Sequence, residues 1–160
     1  MGEGADDLVE SGRDVLLAYL NKVRRALVRT CQGLTPDQLR RPGVPSGTNL
    51  LGLVHHLTGV ERHWFQRVFL GRDVDVDKSM TVPTDLSPDR VVAAYQAACQ
   101  TSDEIVRSCP DLSTLAAVPN PGEDARDSLR SIVVHMIEET ARHAGHADIL
   151  RERIDGATGL

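Results

Sequence analysis

The chain has 160 residues, enough for one domain with its own core. Its 18 Lys and Arg against 23 Asp and Glu leave a formal charge of −5, with no long basic run, so nucleic-acid binding is excluded as the main task. No stretch approaches the ~18 consecutive apolar residues of a membrane span, and no nucleic-acid or membrane partner is expected.

The N-terminal Met1-Gly2-Glu3-Gly4-Ala5-Asp6 lacks the basic and apolar regions of a signal peptide. Asp6 stands where a myristoylation signal wants Ser or Thr. Residues 1–7 are small and acidic and are expected to fray. Cys31, Cys99 and Cys109 are widely spaced, odd in number and without a Cys-x-x-Cys pair, so neither a disulfide framework nor a zinc ribbon is indicated. All three fall in predicted helices, as small buried thiols do. The expected location is cytoplasmic.

From about Leu8 to Gln32, Leu16, Leu20, Val23, Leu27 and Cys31 recur at threes and fours, opposite Asp14, Asn21, Lys22, Arg25 and Arg29. This predicts a long amphipathic helix stopped by Gly33. Thr35-Pro36-Asp37-Gln38 is a capping box, but Pro42, Gly43, Pro45 and Gly47 allow only a short helix after it. A second long helix runs from about Leu50 to Leu70, capped by Thr48 or Asn49. Its stripe is Leu53, Leu57, Val60, Trp64 and Val68. On this wheel His55 points away from the stripe toward solvent, while His56 and His63 lie together on its flank.

Gly71 to Leu86 reads as a loop. Its alternating Asp73, Asp75 and Asp77 lack the glycine and terminal glutamate of a calcium loop, so a solvated acidic segment is expected. Ser87 and Pro88 open a third long helix with the stripe Val91, Tyr95, Ala98, Ser102, Ile105 and Cys109, ended by Pro110. Residues 110–127 form a crossing loop. The fourth long helix begins at Ser128 and ends near Ile154, before Gly156. Leu129, Ile132, Met136, Leu150 and Ile154 make its stripe. His143 falls inside that stripe and Glu139 at its border, while His135 and His146 lie further out. No strand-like alternation of useful length appears. Four long amphipathic helices predict an all-α fold, a four-helix bundle in one domain spanning residues 1–160.

All six histidines fall on the second or fourth long helix, and none on the first or third. A core-facing histidine is more often a hydrogen-bonded core residue than a ligand, but scattered core histidines would not sort this way. A carboxylate facing a core is costly unless paired, protonated or bound to a metal. If these two helices adjoin, His56, Glu139 and His143 can offer two nitrogens and one oxygen to a metal ion. That is a catalytic pattern when a coordination position stays open. Zinc is the first expectation, and nickel, iron or manganese suit the same donors. His146 and His63 are candidates for an additional ligand or a supporting role. The spacing predicts that loss of His143 abolishes metal binding and loss of His55 does not.

Two segments carry a resemblance: Leu53-Val54-His55-His56-Leu57-Thr58-Gly59-Val60-Glu61-Arg62-His63-Trp64-Phe65, and Glu138-Glu139-Thr140-Ala141-Arg142-His143-Ala144-Gly145-His146-Ala147-Asp148-Ile149-Leu150-Arg151-Glu152. With the helix order, they make the chain resemble the DinB/YfiT-like superfamily of metalloenzymes, and especially its branch of mycothiol-dependent S-transferases and maleylpyruvate isomerase. The resemblance implies a four-helix bundle, often a homodimer, with a metal held by one histidine of the second helix and two groups of the fourth. The helix-two histidine before Leu corresponds to His56. Many members carry His-x-x-x-His on the fourth helix; here the first of those positions is Glu139, as in the mycothiol branch, and the second is His143. The Gly-Gln common after the last ligand is Gly145-His146 here.

Two chemistries fit. In one, a low-molecular-weight thiol of the mycothiol type attacks a small electrophile as the thiolate, anchored by Arg142 or Arg151. In the other, activated water hydrolyses a small substrate, with Glu138 or His146 as proton acceptor. A third reading is a non-enzymatic dimeric binding protein, with Trp64, Phe65 and Phe69 as a partner surface or, more simply, as packing.

Overall fold

A computed structural model describes residues 3–159, with side chains from residue 12 onward. The expected fraying of 1–7 therefore falls partly outside the described residues, and the first helix takes in the rest. Among the described residues the protein is helical, with no strand and one isolated antiparallel bridge between Leu115 and Ser128. The helices are α1 (Glu3–Thr30), the short α2 (Pro36–Arg40), α3 (Leu50–Glu61), α4 (Pro88–Ser108) and α5 (Leu129–Asp155). α3 is continued by a π-helix, Arg62–Phe69. No helix among these residues is long and apolar enough to cross a membrane.

Local chemistry sets the ends. Thr35 and Gln38 complete the capping box of α2, Asn49 caps α3, Ser87 caps α4 and Ser128 caps α5. Each oxygen takes an N–H that the first helical turn leaves without a partner. Gly156 ends α5 with φ 77°, a backbone that a side chain would strain.

α1 packs on α5, and α3 packs on α4 and α5. The core between them holds Leu20 and Leu27 of α1, Leu53 and Leu57 of α3, Phe65, Tyr95, Ile132 and Met136, all essentially without solvent contact. Burying one such side chain contributes roughly 1.5–3 kcal/mol, so this apolar face is the main stabilising element.

The crossing loop between α4 and α5 fixes how α3 meets α5. Its Ala117 and Val118 N–H groups donate to the carbonyls of Phe69 and Val68, at the end of the π-helix. Its Thr114 and Leu112 carbonyls accept from Leu129 and Arg130, at the start of α5. Groups that helix ends leave unpaired are thus satisfied by one segment, which holds the two helices together.

Three expectations are corrected. α3 is buried nearly all round rather than along one stripe, because residues 77–80 lie over its outer face. Of the cysteines only Cys99 lies within a helix; Cys31 follows α1 and Cys109 caps α4. On α1, Leu17 and Arg24 are buried while Leu16 and Val23 are half-buried. Arg24 donates to both Glu61 oxygens at 2.8 and 2.7 Å and to Asp103 at 2.7 Å. Ser102 Oγ adds a 2.6 Å bond to Glu61. This network ties α1, α3 and α4 at the point where the π-helix begins. Burial alone would lower the Arg24 pKa, but the adjacent Glu61 carboxylate raises it. Removing one partner of such a pair costs about 3–5 kcal/mol, because the other charge is left buried.

Candidate metal centre

α3 and α5 bring His56, Glu139 and His143 together, one donor atom from each lying within 4.8 Å of the others. On α5 the last two are four residues apart and share a face. His143 Nε2 stands 3.1 Å from Glu139 Oε1. His56 Nε2 approaches the same oxygen from the facing helix at 3.6 Å, and the two imidazole centroids are 4.9 Å apart.

The other side of each group is engaged. His56 Nδ1 lies 2.6 Å from the Lys78 carbonyl oxygen. A carbonyl only accepts, so Nδ1 carries a hydrogen, and Nε2 is the nitrogen left facing the carboxylate oxygen. In a neutral ring that nitrogen would offer a lone pair, and a cation placed between it and the carboxylate would satisfy both. His143 Nδ1 lies 3.4 Å from His146 Nδ1, on the ring edge away from Glu139. Glu139 Oε2 accepts from Arg142 at 3.0 Å, leaving Oε1 for the imidazoles. Two atoms bound tetrahedrally to one zinc at ~2.1 Å would stand roughly 3.4 Å apart. The observed 3.1 and 3.6 Å bracket that spacing for the two imidazole–carboxylate pairs; with the third pair inside 4.8 Å, the cluster is compatible with a divalent ion toward which the imidazoles would draw in.

Burial disfavours the charged form of both coupled groups. For Glu139 the neighbouring His143, His56 and Arg142 outweigh burial, and the carboxyl is held below its usual pKa. For His143 burial prevails and the imidazole is held below its usual pKa. Both directions favour the deprotonated forms that bind metals.

Residues 77–80 cover this part of α3. His55 is not turned to solvent as the helical wheel predicts: its side chain is 18% exposed and its Nε2 meets Asp77 Oδ2 at 3.0 Å. Asp77 also accepts from Ser79 N–H at 2.8 Å. The His55 bond, with Ser79, pulls the Asp77 carboxyl down to about 2.

His63 is not part of the cluster. Seven residues separate it from His56 by about 10 Å along the helix, and it stands at the start of the π-helix. It is buried, with Nε2 on Asn120 Oδ1 at 2.9 Å. Its neighbour Trp64 is partly buried, packed against the core and tilted onto His135 at a ring-centroid distance of 4.7 Å. His146 is exposed and reaches the cluster only through His143. Arg142 is exposed and occupied by Glu138 at 2.7 Å as well as by Glu139. Arg151 lies two turns beyond His143 and donates to the Thr30 and Gln32 carbonyls at 3.0 and 2.7 Å, closing the end of α1.

Sequence reasoning missed the Lys78 carbonyl, since a backbone group leaves no mark on residue type. The available signal was Gly52 and Gly59 flanking the histidine pair, a sign of close backbone approach. A groove of about 760 Å³ between α1 and α4 includes Arg24, Arg29, Cys99 and Asp103 in its lining and none of the three donors. Donor geometry rather than cavity size therefore locates the site.

Two imidazoles and a carboxylate converging from two helices are the arrangement the DinB/YfiT-like resemblance implies, and the family that matches is of that kind. The mycothiol-S-transferase family model matches residues 15–156, nearly the whole length, and the chain belongs to that family. A search of curated proteins finds no match.

Proposed function

We propose that this protein is a metal-dependent S-transferase, joining a low-molecular-weight thiol of the mycothiol type to a small electrophile, on a four-helix bundle used as a homodimer in the cytoplasm. The observation that carries it is the convergence of one donor atom each from His56, Glu139 and His143 within 4.8 Å, in a chain of the mycothiol-S-transferase family. Three protein donors leave room for a further ligand. A divalent ion there, zinc before nickel, iron or manganese, would supply the positive charge that keeps a thiol deprotonated near neutral pH.

The chain's own residues prepare that chemistry. The Lys78 carbonyl orients His56, His146 supports His143, and Arg142 steadies Glu139 from its second oxygen. The protein's own thiols stand outside the cluster and are covered: burial pushes Cys31 and Cys99 up, and Cys109 is buried with its Sγ on the Asp111 carbonyl at 3.2 Å. The attacking sulfur is therefore assigned to a thiol substrate. It forms a bond to the electrophile as the leaving group departs with the bonding pair, and the thiol proton goes to solvent or a nearby base. No contact in the site favours hydrolysis or a purely binding role.

Elemental analysis of the untagged protein, with His56→Ala and Glu139→Ala beside it, is the test. About one equivalent of metal in the parent and little in either variant is expected, followed by metal-dependent thiol consumption with reactive electrophiles. A parent that takes up no zinc, nickel, iron or manganese overturns the proposal.

A further inference from the structure

We propose that residues 77–80 form a positioning strap for His56: the Lys78 carbonyl holds the ring as the Nδ1–H tautomer, and glycine at 52 and 59 lets the strap lie against α3. Gly52, His55, His56 and Gly59 fall at helical spacings of three, four and seven and so share one face of α3. All four meet the same segment. A Cβ on Gly52 would strike the Met80 carbonyl oxygen, and one on Gly59 the Asp77 carbonyl oxygen. Both obstacles are backbone, which cannot swing aside as a side-chain tip can.

Between these two contacts the histidines hold the strap, each in its own way. His55 Nε2 meets Asp77 Oδ2 at 3.0 Å, and Asp77 Oδ1 turns the chain by accepting from Ser79 N–H at 2.8 Å. His56 Nδ1 donates to Lys78 O at 2.6 Å. Glycine weakens a helix interior, so two of them seven apart, both under backbone carbonyls, mark a required close approach. Without the Lys78 acceptor, His56 could turn an N–H toward Glu139 and would cease to offer a lone pair there. Which nitrogen of a histidine binds a metal is set by the bond the other makes. The use of this device rests on the metal-site reading; the strap itself does not.

Long-range ¹H–¹⁵N correlation spectra of the metal-free protein near pH 8 read the tautomer directly, with His56→Gln used for assignment. The parent is expected to show His56 with Nδ1 protonated and Nε2 bare. Gly59→Ala lifts the strap, and Asp77→Ala frees it without intruding on the helix; each is expected to move His56 toward the Nε2–H form. Gly145→Ala, at a helical glycine with nothing within 4 Å of an added Cβ, should leave it unchanged. An Nε2–H ring in the parent, or an unchanged Nδ1–H ring in both strap variants, overturns the proposal. Zinc titration then separates the two readings. Affinity is expected to fall about tenfold to a hundredfold in the strap variants. A parent that binds no zinc but shows the tautomer shift keeps the strap and sinks the metal site. A parent that binds zinc beside strap variants of unaltered tautomer and affinity keeps the site and sinks the strap.

Discussion

His63 stands apart from the three donors and is bonded to the crossing loop instead. Its Nε2–H donates to Asn120 Oδ1, whose amide is turned by a 3.0 Å bond from Nδ2 to Glu123. Its Nδ1 is buried without a partner. Adding a proton there would bury an unpaired charge, so burial holds the His63 pKa below its usual value. The folded state therefore refuses a proton that the unfolded chain accepts as pH falls below about 6.5. Stability is expected to drop on acidification through that range. Urea unfolding at pH 8 and pH 5 should show a larger loss in the parent than in His63→Gln, the similar effect of His143 being common to both. Equal losses would mean that the folded protein protonates His63. Helical phase pairs His63 with His56 because both sit at equivalent angles of an ideal helix. Distance along the axis, about 10 Å, separates them, and the Asn120 partner comes from the crossing loop, whose path the residue types do not state.

At the scale of the element, α5 invites two substitutions of opposite sign. Ser128 Oγ accepts from Ser131 N–H at 3.1 Å and caps the helix that carries Glu139 and His143. Ser128→Ala is expected to cost about 1 kcal/mol. Gly145 lies exposed in the middle of α5 with open space around it, and Gly145→Ala is expected to stabilise by about 0.5–1 kcal/mol. Denaturant midpoints at unchanged m-value check both, and zinc affinity should move in neither. Such effects are legible in sequence because they are local. The same holds for the caps at Thr35, Asn49 and Ser87 and for the stripe of α4 as far as Ile105, all of which the structure contains. The stripes of α1 and α3 are less legible. Arg24 can be buried only because Glu61 and Asp103 come to it from other helices. The outer face of α3 is covered by a loop whose path the residue pattern does not state.

The whole molecule decides whether two half-sites become one. His56 is on α3 while Glu139 and His143 are on α5, some eighty residues apart in sequence, and their sorting onto two helices was legible where their adjacency was not. Adjacency comes from the crossing loop, which bonds the end of the π-helix and the start of α5, and from core packing between Leu53, Leu57 and the α5 stripe. An ion held by both helices binds only the folded arrangement, so it stabilises the fold by mass action. At free zinc a hundredfold above Kd the gain is about 2.7 kcal/mol. In a protein of this size that corresponds to a rise in Tm of roughly 5–10 °C. Calorimetry with zinc and then with excess chelator should show the rise and its reversal in the parent. Glu139→Ala should show neither, and Ser128→Ala should show the full rise from a lower starting Tm. A rise of equal size in Glu139→Ala would place the stabilising ion elsewhere, on exposed carboxylates rather than between α3 and α5.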